Sequence, residues 1–70
     1  MEDYKIRFIK EHSELKERHG KLSGMINKHH AGTLDFTPTC PIELLERQRD
    51  TMAEYLLILE ERAKLEDIPL

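Results

Sequence analysis

The apolar residues in the second half of this 70-residue chain spread too far around a helix for one neighbouring helix to cover them. In the run Tyr55-Leu56-Leu57-Ile58-Leu59, successive side chains step 100° around a helical axis, so no single face holds them all. Leaving Leu57 or Ile58 in water forgoes roughly 1.5–3 kcal/mol for each large side chain. A second apolar surface on so short a chain points to an interface between copies, and self-association is the first expectation.

Length presses the same way, because a small domain buries little surface and usually needs disulfides, metal or partner chains. The one cysteine, Cys40, excludes an internal disulfide and cannot by itself supply a zinc site. Oligomerisation is the remaining source of extra stability.

The breakers Gly32, Pro38 and Pro41 cluster in the only stretch where helical spacing lapses. A single helical-hairpin domain follows: helix over about 2–30, connector 31–40, helix over about 41–66. On the first helix Phe8, His12, Leu15, His19, Leu22, Ile26 and His29 recur at steps of four and three and share one face. Cys40 stands where an N-cap would, Pro41 suits the first helical position, and Glu43 lies in the favourable first turn. On the second helix Leu45, Gln48, Met52, Tyr55 and Leu59 form a stripe widened by Leu56 and Ala63, expected to face the first helix. Leu34 and Phe36 of the connector are expected to fold over the open end. The fold class is therefore all-α: an antiparallel two-helix hairpin assembling into a homo-oligomeric bundle through Tyr55, Leu57 and Ile58.

Charge excludes some functions. The chain is 36% charged with formal net charge -3, and its basic residues are interleaved with glutamates, which argues against DNA binding that depends on neutralising many phosphates. The opening MEDYKIRFIK lacks the apolar core of a signal peptide, and no run of about 18 apolar residues occurs, so no membrane partner is expected. No phosphate loop, nucleophile elbow or HExxH is present, and an enzyme is not expected. Neither is a metal or cofactor: His12 and His19 lie about 10 Å apart along a helix, too far to share one ion. They read better as polar interruptions of the seam, pairing with carboxylates of another helix. His29 and His30, beside Lys28, suit the negative end of the first helix.

Gly20 and Gly24 each cost about 1 kcal/mol against alanine inside a helix, so they need a cause. With Ser23 they make a shallow face, suited to close packing against another helix or to backbone exposed at a ligand groove.

The stretches ELKERHGKLSGMI (Glu14 to Ile26) and ERQRDTMAEYLLILEERAKLE (Glu46 to Glu66) resemble short helical-hairpin proteins of phages related to crAss-like phages. That hairpin is similar in turn to the one in phage anti-CBASS and Thoeris anti-defence proteins. The resemblance implies a sponge: an oligomer, commonly a hexamer, that sequesters a cyclic oligonucleotide or ADP-ribose-type signal without cleaving it, in the cytoplasm of the bacterial host. It also implies that Lys16 contacts a ligand phosphate and that Gly20 and Gly24 fall near the family's small residues. The connector here, GTLDFTPTCP, is longer than that of those relatives.

Such a ligand needs cationic donors for phosphate and an apolar or aromatic surface for bases. Arg7, Lys10 and Lys16, with Tyr4 and Phe8 alongside, are the candidates to supply both at a boundary between chains. Arg49 and Arg62, at the edge of the second stripe, suit inter-chain pairs with glutamates. The rival reading is a small helical protein that docks on a host defence protein and inhibits it. A helical module with no ligand of its own is the third.

Overall fold

The computed structural model describes residues 2–70 and contains two helices, α1 (Asp3–Ala31) and α2 (Ile42–Glu66), with no strand among the described residues. They run antiparallel: Tyr4 near the start of α1 bonds Glu66 at the end of α2, while His30 near the end of α1 meets Glu46 near the start of α2. The hairpin is a rod of 44 × 18 × 17 Å, as expected when α1 alone spans about 1.5 Å per residue over its length.

Both helices stop through a left-handed residue. Gly32 (φ 74°) ends α1, its N–H donating to His29 O at 3.1 Å and the Thr33 N–H to Lys28 O at 2.9 Å. Glycine takes this conformation without a steric penalty, and Lys28, His29 and His30 lie in the turn where positive charge is favoured. At the other end Asp67 (φ 58°) ends α2, and the Ile68 N–H donates to Ala63 O at 2.8 Å. Ile68, 5% exposed, is thereby turned back into the core. A non-glycine left-handed residue costs about 1 kcal/mol or more, which that burial offsets.

The core is one seam: Phe8 and Leu15 from α1, Leu56, Leu59 and Ala63 from α2, and Ile68 from the tail, flanked by Ile9 and Met52. Ile26 is fully buried nearer the connector. On α2 the inward positions are Leu45, Met52, Leu56, Leu59 and Ala63. Gln48 and Tyr55, expected in that stripe, are exposed instead. The inward face is rotated toward Leu56 and Ala63, which leaves the Tyr55 hydroxyl free to donate to Glu11 and spares the Gln48 amide the cost of burial.

Other expectations are also corrected. α2 begins one residue later than expected, with Pro41 as the N-cap residue and Cys40 exposed outside it; Pro41 O accepts from Leu44 and Leu45, and no side chain caps the turn. In the connector Leu34 is half-buried, but Phe36 is 56% exposed and does not close the end of the hairpin. His29 is exposed, so the buried stripe of α1 ends at Ile26.

Candidate functional site

An open groove of about 630 Å³ lies between the first half of α1, the last turns of α2 and the tail. Its polar rim is His12 and Lys16 from α1 and Glu60, Lys64 and Asp67 from α2 and its cap; Ala63, Ile68, Pro69 and Leu70 supply apolar surface. The placement follows from two four-residue steps. His12 and Lys16 stack one turn apart on α1, Glu60 and Lys64 do so on α2, and antiparallel pairing sets the two pairs side by side.

His12 is a buried polar residue in an otherwise apolar seam, and its Nε2 lies 2.9 Å from Glu60 Oε2. The imidazole thus crosses from one helix to the other, as the expectation of a histidine paired with a carboxylate of another helix required. Among the described residues neither Lys16 nor Lys64 has an ion-pair partner. Two unpaired ammonium groups beside two carboxylates make a rim that can donate to phosphate oxygens and accept from base N–H groups.

A second cluster closes the free end of the hairpin. Tyr4 Oη donates to Glu66 Oε1 at 2.7 Å; Arg62 donates to Tyr4 Oη through Nη2 at 2.7 Å and to Glu66 Oε2 through Nε at 3.3 Å. The guanidinium lies 4.9 Å from the centroid of the Phe8 ring, and the Tyr4 and Phe8 rings are 6.2 Å apart. The bond to Glu66 raises the Tyr4 pKa, and the same bond, with help from Arg62, lowers that of Glu66. Arg62, expected at a boundary between chains, is thus engaged within its own chain.

The six residues expected at a ligand site are not gathered in one place. Lys16 is on the groove. Tyr4, 42% exposed, belongs to the end cluster, and Phe8, 3% exposed, is core beneath Arg62, so its faces are not open for stacking in a single hairpin. Arg7 lines the opposite side of α1 in a shallow depression with Lys10, Arg18 and Tyr55, where Tyr55 Oη donates to Glu11. Gly20 and Gly24 border a third hollow with Lys21, Lys28 and Phe36 near the connector. A Cβ at either glycine would meet open space, so close packing within the chain does not explain them.

Sequence reasoning missed Glu60, Lys64 and the tail from Asp67 to Leu70. The four-residue steps His12/Lys16 and Glu60/Lys64 can be read in the sequence, but which faces of the two helices meet cannot. The tail carried no such pattern, because its place depends on the left-handed turn at Asp67.

Tyr55, Leu57 and Ile58 are 41%, 56% and 45% exposed in the single chain. Among the described residues no three of His, Cys, Asp or Glu converge to hold a metal ion, and no helix is long and apolar enough to cross a membrane.

Fold and groove together define a small antiparallel helical hairpin carrying an open, lysine-rimmed groove. Residues 2–65 match the family model of Sequestin, and the chain belongs to the Sequestin family. No curated protein and no solved structure matches it.

Proposed function

We propose that this protein binds a cyclic-nucleotide-type signalling molecule and sequesters it without cleaving it, serving a phage in the cytoplasm of its bacterial host. The family's name denotes sequestration of a molecule, which supports holding rather than processing as the activity. The observation that carries the reading is the joint placement of Lys16 and Lys64, both without ion-pair partners, on one groove beside His12. Its volume of about 630 Å³ lies within the range of small-molecule sites, roughly 300–1,000 Å³.

In this reading the two ammonium groups hold phosphates, Glu60 and Asp67 accept from base N–H groups, and the tail's apolar surface covers a base or ribose edge. The groove is open on one side in a single hairpin, so a second chain completes it. The working form is a homo-oligomer, with Tyr55, Leu57 and Ile58 among the surfaces that join its chains and a hexamer as the form the resemblance suggests. Arg7, Tyr4, Gly20 and Gly24 then serve the ligand from a neighbouring chain.

The test is a thermal-shift and calorimetry panel of cyclic di- and trinucleotides and cyclic ADP-ribose isomers, because a ligand that binds only the folded state stabilises it. A shift with one of them, and its recovery chemically intact after heating the complex, supports sequestration. No shift with any, together with capture of a host defence protein, replaces it with the inhibitor reading.

A further inference from the structure

We infer that the groove reads guanine, with the Asp67 carboxylate accepting from the N1–H and N2–H of the base and the Lys64 ammonium donating to its O6. The inference rests on the nucleotide reading above and names the base which that reading leaves open.

Asp67 is costly where it stands. At φ 58° and ψ 44° it ends α2 in the left-handed conformation that glycine adopts freely and asparagine tolerates. Its charge lies at the negative end of the helix dipole, where a carboxylate is unfavourable. Asparagine would make the same turn without that charge. Among the described residues the Asp67 side chain has no hydrogen bond or ion pair to offset the cost. It is exposed and borders the groove, so a ligand is the partner that gives the carboxylate a use.

The chemistry of the rim selects the base. Its side-chain donors and acceptors are two ammonium groups, one imidazole and two carboxylates, with no amide or hydroxyl among the lining residues. Adenine and cytosine present one donor beside one acceptor, which an amide matches and a carboxylate does not. Uracil presents a single donor between two acceptors. Guanine presents two adjacent donors followed by an acceptor, and a carboxylate beside an ammonium is the complement of that edge. Glu60 is the poorer candidate, because its Oε2 is already engaged by His12 Nε2 at 2.9 Å. Asp67 has both oxygens open. Lys64 stands three residues before it, on the same side of the last turn, and the two are not paired with each other. An ammonium has three donors, so Lys64 can serve O6 and still hold a phosphate. Pro69 and Leu70, placed on the groove by the buried Ile68, offer the apolar surface on which the purine lies.

The experiment is calorimetry with ligand pairs matched in ring size: cyclic di-GMP against cyclic di-AMP, and the cyclic trinucleotide of two adenosines and one guanosine against cyclic tri-AMP. The wild type should bind the guanine member of a pair about tenfold more tightly or better. Asp67→Asn keeps a residue suited to the left-handed turn, so its melting temperature should be no lower than that of the wild type. The same variant should bring the guanine-to-adenine affinity ratio close to one, and should favour the analogue with xanthine in place of guanine, whose C2 carbonyl accepts from the new amide. Lys16→Ala should weaken both members of a pair by the same factor, because the phosphates are common to them. A wild type that binds nucleotides without preferring guanine, or a preference that survives in Asp67→Asn, would overturn the inference and leave the nucleotide reading standing. No binding of any nucleotide would overturn both.

Discussion

His12 Nε2 sits 2.9 Å from Glu60 Oε2, making the one buried polar residue of α1 a direct link to α2 on the polar rim of the groove. Removing it should separate stability from binding. His12→Ala opens a cavity and should cost about 2 kcal/mol, seen as a lower denaturant midpoint. His12→Leu keeps the packing and should cost less, while lowering nucleotide affinity; equal affinity by calorimetry would take His12 out of the site.

Lys16 and Lys64 carry the ligand reading. Each charge-assisted hydrogen bond to phosphate is worth about 1.5–3 kcal/mol, so Lys16→Ala and Lys64→Ala should each weaken binding tenfold or more. Both are exposed, and the melting temperature of the free protein should hardly move. Calorimetry on the two variants checks this, and a loss confined to Lys16 would shift the site away from the tail.

Gly20 and Gly24 face open space in the hairpin. Gly24→Ala should therefore stabilise α1 by up to about 1 kcal/mol, read as a raised melting temperature. A higher melting temperature with unchanged oligomer mass would show that no neighbouring chain packs against that glycine. A fall in mass would place a chain there.

The end cluster predicts a pH dependence. The Tyr4 pKa is raised above its ordinary 10.0 by the bond to Glu66, so its contribution is fully present below that value and is lost as pH rises through the higher folded value. The Glu66 pKa is lowered, and its contribution is present above the ordinary 4.5 and lost as pH falls through the folded value. Tyr4→Phe should flatten the alkaline limb of melting temperature against pH, and Glu66→Gln the acid limb. An alkaline limb unchanged in Tyr4→Phe would assign it to Tyr55, whose pKa is raised by its bond to Glu11.

The hairpin was legible because Phe8, Leu15 and Ile26 keep helical spacing, and because Gly32 and Pro41 bracket the connector within a residue of the true boundaries. Tyr55 and Gln48 misled the reading of α2. A phenol and an amide fit a stripe by spacing alone, but the seam rotates to bury Leu56 and Ala63. Of the residues on the candidate groove, Lys16 had been named from the sequence and Lys64 had not. Placing Lys64 requires knowing which faces of two antiparallel helices meet, and local periodicity does not give that pairing. Phe8 shows the opposite error: an aromatic near lysines suggested a stacking surface, yet its burial under Arg62 serves the core.

The most direct measurement is titration of the purified protein with cyclic di- and trinucleotides and cyclic ADP-ribose isomers by calorimetry, followed by chromatography of the ligand released on heating. The account predicts tight binding of at least one of them and its return unaltered. Release of a cleaved product, or no binding by any member of the panel, would contradict it.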